Sequence, residues 1–375
     1  MNADPQWLAV GRPLLPPAAA VLPYLQEMEG NRWYANHGPL VRRLEARLAA
    51  RYGLTAGHVA TLASGTAGLT AALLAQGVTA GGLCLMPSWS FVASAHAAVA
   101  AGLIPCFVDV DAQSWALTPE AALRALETAP GAVAAVMPVM PFGAPLDIGA
   151  WDRFAERTGL AVVVDGAAGF DTVRPGRVPA VVSLHATKVL GVGEGGFLVS
   201  RDATLVRAVE DAANFGFVRR RAAERAGLNA KMSEVHAAVG LAALDGWPQT
   251  RAAVRGVADA YAAALAETPG VVRVMGAGDA AGDDWVSSTI VAAFDAPVAE
   301  AVAERLRLRG IDTRAWWSKG IHRQAAFQDH PRGPLPVTER LADSTLGLPF
   351  HADLAAGAVA RVAVALADAL REVRS

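Results

Sequence analysis

Apolar positions between residues 40 and 245 recur at two alternating spacings. Val41, Leu44, Leu48 and Tyr52 fall three and four apart, which marks one face of a helix. Short apolar runs at 58–63, 83–86, 104–110, 133–139, 161–164, 181–184 and 197–199 read as strands. Pro87 stops the second run and Asp165 ends the fifth. Residues 66–76 and 151–157 read as helices, and Thr118-Pro119-Glu120 opens another, with an N-cap and a proline at the first helical position. This cadence predicts an α/β fold whose mostly parallel central sheet is covered by helices. After about residue 245 the pattern changes. A long helix at 251–267 precedes strands at 271–274 and 285–294, and helices follow at 298–307, 337–344 and 354–373. The expected division is an N-terminal arm (1–35), a large α/β domain (36–245) and a small α+β domain (246–375).

Charge refines this picture. Between Arg51 and Asp109 there is no Asp, Glu, Lys or Arg. Gly, Pro and Ser interrupt that stretch, so no apolar run reaches the ~20 residues of a membrane span. Parallel strands buried on both faces account for it instead. With 375 residues the chain is long enough for two domains and a large core. A net charge of −2 gives no reason to expect nucleic acid or an anionic membrane as partner. Cys84 and Cys106 both lie in apolar runs and read as core thiols in a reducing compartment. The start Met1-Asn2-Ala3-Asp4-Pro5-Gln6 lacks a basic region, so no signal peptide is expected and a cytoplasmic location is.

The candidate chemistry centres on Lys188, one of three lysines beside thirty arginines. A chain that uses arginine for generic positive charge still needs lysine where an amine must lose its proton and attack a carbonyl. Lys188 sits in Ser183-Leu184-His185-Ala186-Thr187-Lys188, followed by Gly191-Val192-Gly193-Glu194-Gly195-Gly196. Two further segments complete a pattern suited to pyridoxal 5'-phosphate. Ser64-Gly65-Thr66 lies where a strand meets a helix, whose free N–H groups and dipole favour a phosphate. Asp165 ends a buried strand, where a carboxylate can pair with a protonated pyridine nitrogen. The plainer role for Asp165 is a helix N-cap before Gly166-Ala167-Ala168. Ser183 could donate its hydroxyl to the phosphate. Trp89 and Phe91 would share a face of an extended segment, so either could cover the ring.

Taken with Asn36-His37-Gly38-Pro39-Leu40, Pro87-Ser88, Phe107-Val108-Asp109-Val110-Asp111, Asn229-Ala230-Lys231-Met232-Ser233-Glu234 and Leu348-Pro349-Phe350-His351, these segments make the chain resemble the DegT/DnrJ/EryC1/StrS family of nucleotide-sugar aminotransferases. The resemblance implies fold type I of the pyridoxal phosphate enzymes, the aspartate aminotransferase-like fold. It implies that Lys188 holds the cofactor and shuttles the proton, and that Asp165 meets the ring nitrogen. Gly65, Thr66 and Ser183 would bind the phosphate, Phe91 would stack on the ring, and Asn229 would reach the partner's phosphate across a homodimer. Two positions depart from the family pattern: Ala168 replaces the usual Gln or His, and Met140 replaces a frequent His.

The implied reaction transfers an amine from L-glutamate to a nucleotide-linked keto sugar. A 4-keto-6-deoxyhexose destined for a surface polysaccharide is the first expectation and a 3-keto sugar the second. Arg219 and Arg220, with Arg221 and Arg225, form one basic cluster that could hold the nucleotide. Trp316, Trp317, Lys319 and His322 form another candidate surface; packing is the plainer role for the tryptophans. A sugar dehydratase is disfavoured, because its family members replace the lysine by histidine or carry an iron–sulfur cluster that two cysteines cannot ligate. A regulator on a degenerate fold should have lost Asp165 or Lys188. A desulfurase would need a cysteine in a mobile loop. No metal site is expected.

Overall fold

The computed structural model describes residues 7–218, 221–276 and 284–375. Helices α1 (Ala18–Asn31) and α2 (Pro39–Arg51) lead into β1 (Val59–Leu62), α3 (Gly65–Ala75), β2 (Leu83–Pro87), α4 (Ala93–Ala100) and β3 (Ile104–Val108). Next come α5 (Pro119–Thr128), β4 (Val133–Val136), α6 (Ile148–Thr158), β5 (Ala161–Val162) and β6 (Val164–Asp165). Strands β7 (Ala180–Ser183) and β8 (Gly196–Val199) and helices α7 (Ala203–Ala213) and α8 (Glu234–Asp245) follow.

β5 pairs with β4 on one side and β6 pairs with β7 on the other, so residues 161–165 join two four-stranded ladders. The resulting order is β3-β2-β4-β5/β6-β7-β8-β1, parallel except that β8 runs against both neighbours. Alternate residues feed opposite cores. Leu85, Val136, Val162, Val164, Val182 and Phe197 pack on one face, and Met86, Ala135, Val163, Val181 and Leu198 on the other. This two-sided burial explains the uncharged stretch. Cys84 and Cys106 are both free and buried within it.

The rest of the chain adds α9 (Trp247–Leu265), β9 (Val271–Met275), β10 (Ile290–Phe294), α10 (Ala299–Leu308), α11 (Pro336–Ser344), β11 (Thr345–Leu348) and α12 (Ala356–Arg374). β11, β10 and β9 form an antiparallel sheet in that order. Several elements differ from the sequence expectation. Helix α1 lies within the expected arm despite Pro23, and its Tyr24 hydroxyl donates to Asp245 of α8 at 2.7 Å. Helices α4 and α8 are buried on several sides, so neither shows a clean polar stripe. The strand expected at 104–110 ends at Val108, because the Asp109 carboxylate turns to accept the N–H groups of Val337 and Thr338, both at 2.8 Å. The strand expected at 285–294 starts only at Ile290, since the Val286 N–H is taken by Asp171 at 3.2 Å.

Candidate active site

The carboxyl ends of parallel strands β1, β2, β6 and β7 deliver the chemistry-bearing side chains to one region, as is usual for an open α/β sheet. After β1, Ser64 caps α3 by accepting the Ala67 N–H at 3.1 Å, which leaves the Gly65 and Thr66 N–H groups for a ligand. In the sheet Gly196 pairs with Leu62 on one side and Ser183 on the other. A Cβ on Gly196 would lie 2.7 Å from the Gly65 nitrogen. Its missing side chain is therefore what lets the start of α3 and the end of β7 close together. A Cβ on Gly65 would in turn meet the Ser183 Cβ at 3.2 Å and its Oγ at 3.6 Å. Gly65, Thr66 and Ser183 form a small cup with backbone donors and a hydroxyl.

Asp165 is 5% exposed at the end of β6. Its Oδ2 accepts the Ser94 hydroxyl at 2.7 Å and its Oδ1 the Ala167 N–H at 3.1 Å. Burial pushes its carboxyl above the usual range, while Ser94, Ala167 and the Lys188 charge pull it back. Gly166 to Gly169 make a turn and no helix, with Gly169 N–H on Gly166 O at 2.7 Å. Lys188 sits in the turn after β7, its N–H on His185 O at 2.9 Å. Desolvation lowers its amine below the ordinary lysine value, and Asp165 opposes that shift. Asp165 is buried and Lys188 half-buried, and the two groups feel each other's charge. An amine held below its ordinary pKa, sensing the charge of a buried carboxylate, is suited to proton transfer.

The two aromatic candidates separate. The 88–91 segment bends, with Ser90 N–H on Ser88 O at 3.0 Å, so Trp89 and Phe91 do not share a face. Trp89 is buried against Phe142 and Trp317. Phe91 stays 58% exposed. Trp317 stacks on Phe142 at 3.9 Å, and the Arg314 guanidinium lies over Trp316 at 5.4 Å. Both tryptophans line an aromatic cluster with Trp89, Trp115 and Trp285. Lys319 pairs with Asp343 at 2.6 Å. His322 is buried, its Nδ1 2.7 Å from the Ser88 hydroxyl, and burial lowers its pKa. This contact docks the 316–322 loop on the segment leading to Phe91. Asn229 is exposed and accepts from Lys231 Nζ at 2.8 Å. Arg219 and Arg220 lie outside the described residues.

Sequence reasoning missed Ser94 and gave no role to Glu234. Glu234 is 1% exposed and accepts the N–H groups of Leu40 (2.8 Å) and Val41 (2.9 Å), capping α2 from a distant element. Met140 fills the space against Gly166 and Gly169, and Ala168 offers only a methyl. His37, Glu45 and Glu210 bring ligand atoms within 4.8 Å of one another, but Arg42 already bridges the two carboxylates at 2.8 and 2.6 Å.

Comparison with known proteins supplies the family. The chain is 35% identical to Protein Rv3402c of Mycobacterium tuberculosis, over 97% of this chain and 90% of that protein. It is 26% identical to the dTDP-4-amino-4,6-dideoxy-D-glucose transaminase of Escherichia coli, over 92% and 94% of the two chains. Among solved structures, DesI in the presence of its TDP-sugar product superposes with a TM-score of 0.87 at 32% identity, over 100% of this chain and 97% of that one. The α/β aminotransferase fold is shared with these enzymes. The model of the DegT/DnrJ/EryC1/StrS aminotransferase family matches residues 18–367, and the chain is a member of that family.

Proposed function

We propose that this aminotransferase uses pyridoxal 5'-phosphate to move an amine from L-glutamate to a nucleotide-linked keto sugar. The observation that carries this is buried Asp165, within reach of the charge of half-buried Lys188, at the same strand ends as the Gly65–Ser183 cup. The residues fit the cofactor. A side chain on Gly65 would crowd the Ser183 hydroxyl in the cup, whose donors suit a phosphate dianion. Bound pyridoxal phosphate supplies an aldehyde for an amine and a ring that withdraws electrons. Gly65, Thr66 and Ser183 would hold the phosphate. Asp165 would accept from the ring N–H and Phe91 would cover the ring. Lys188 Nζ would anchor the group, and its amine is the side chain that would take up and return a proton at the substrate.

A 4-keto-6-deoxyhexose is the preferred acceptor, supported by the likeness to DesI and to the Escherichia coli transaminase. A 3-keto sugar is the alternative. The amino sugar would enter a surface polysaccharide or other glycoconjugate. Arg219 and Arg220 belong to this proposal as nucleotide contacts, as do Trp316, Trp317, Lys319 and His322 at the acceptor side. A homodimer with shared sites completes it. Exposed Phe215, Trp33, Tyr34 and Val235 offer apolar surface to a partner, and Asn229 would reach the partner's phosphate. Residues 1–35 then act as an arm, 36–245 as the cofactor domain and 246–375 as the small domain, in a cytoplasmic enzyme. Among the described residues no helix is long and apolar enough to cross a membrane.

The test is visible absorbance of the protein with pyridoxal phosphate, before and after L-glutamate, with Lys188→Ala alongside. A cofactor colour that bleaches with glutamate and is missing in the variant is expected. Persistent colour after glutamate would refute the donor, and no colour in the unmodified protein would refute the cofactor.

A further inference from the structure

The geometry points to Ser94, fixed by Ser90, as a positioning residue that holds the Asp165 carboxylate in one orientation. This inference rests on the cofactor role proposed for Asp165. Ser94 lies on α4, 71 residues from Asp165 in sequence, and its side chain is fully buried. Its hydroxyl has one hydrogen and three oxygen neighbours: Asp165 Oδ2 at 2.7 Å, Ser90 Oγ at 2.9 Å and Phe91 O at 3.2 Å. The charged acceptor is also the nearest, so the hydrogen belongs to Asp165. Ser90, 2% exposed, must then donate to Ser94. The result is a directed relay from Ser90 through Ser94 to Asp165.

The need for it follows from the local sequence. Gly166, Ala167 and Ala168 carry no polar side chain, so the turn after β6 gives Asp165 only the Ala167 N–H. Desolvation favours the protonated acid, which is a weaker acceptor and carries no charge to pair with a protonated ring nitrogen. A hydroxyl donor on Oδ2 and an amide donor on Oδ1 work against that and fix the carboxylate plane. One acceptor position on each oxygen remains for the site. Ser90 lies in the bend just before α4, and its 2.9 Å contact with the Ser94 hydroxyl ties that bend to the helix at the foot of the segment carrying Phe91.

The experiment compares Ser94→Ala, Ser94→Thr and Ser90→Ala with the unmodified protein. The first readout is the aspartate carboxyl titration by infrared difference spectroscopy on protein labelled with 13C-aspartate and free of added cofactor, with Asp165→Asn assigning the band. The second is the affinity for pyridoxal phosphate and the pH dependence of its bound spectrum. We expect Ser94→Ala to move the Asp165 titration to higher pH and to weaken cofactor affinity by roughly ten- to a hundredfold, the loss of one hydrogen bond to a charged group. Ser94→Thr should restore both, and Ser90→Ala should give a smaller change in the same direction. An unmoved Asp165 band in Ser94→Ala, or equal damage from alanine and threonine, would overturn the inference. Absence of cofactor binding by the unmodified protein would instead sink the proposed function, and the infrared titration would still decide the role of Ser94.

Discussion

Replacing Gly65 by alanine separates what the cup does for folding from what it does for binding. Gly65 opens α3 without a left-handed backbone, so alanine is sterically allowed there. Alanine is the better helix former by up to ~1 kcal/mol in a helix interior, and by less at an end. Against that, the new methyl would sit 3.2 Å from the Ser183 Cβ and 3.4 Å from its Cα, so one side must yield by a few tenths of an ångström. These terms oppose each other, and folding stability should change by less than about 1 kcal/mol. Binding has no such offset. The methyl would stand 3.6 Å from the Ser183 Oγ, in the space where a phosphate oxygen would meet that hydroxyl. Losing or stretching one hydrogen bond to a dianion costs about 1.5–3 kcal/mol, or roughly ten- to a hundredfold in affinity. The assay is parallel titration of Gly65→Ala and the unmodified protein with pyridoxal phosphate and with pyridoxal, alongside denaturant melts. The variant should lose affinity for the phosphorylated form only. Unchanged affinity for pyridoxal phosphate, or an equal loss for pyridoxal, would refute the assignment of the cup.

Two further expectations follow from the same contacts. Glu234→Ala should lower stability by about 3 kcal/mol in urea denaturation, because the buried Leu40 and Val41 N–H groups lose a charged acceptor; Glu234→Gln should lose about half that, and a change under ~1 kcal/mol in the alanine variant would remove Glu234 as the cap of α2. Asp165 has a raised pKa when folded, so the native protein holds a proton that the unfolded chain releases, and its contribution to stability declines as pH rises from about 4 through the folded value. Cofactor-free Asp165→Asn should therefore melt higher than the unmodified protein near pH 7, with the gap closing as pH falls toward about 4; a gap that does not vary with pH would contradict this.

The α/β alternation, the mostly parallel sheet and the positions of Ser64 to Thr66, Asp165 and Ser183 to Lys188 are legible along the chain. Each of these is a local signal. Apolar runs report burial, and small residues or a carboxylate at a strand end report a turn that must satisfy its own backbone. What those positions meet depends on how distant elements pack. Ser94 touches Asp165 across 71 residues, Glu234 caps α2 across 194, and His322 docks on Ser88 across 234. That packing also parted Trp89 from Phe91, burying one in an aromatic cluster and leaving the other open. Periodicity reveals which face of an element is buried but not which element covers it. That is set by strand order and by close approaches such as Gly196 against Gly65, where a missing side chain in one strand shapes the cup built by two others.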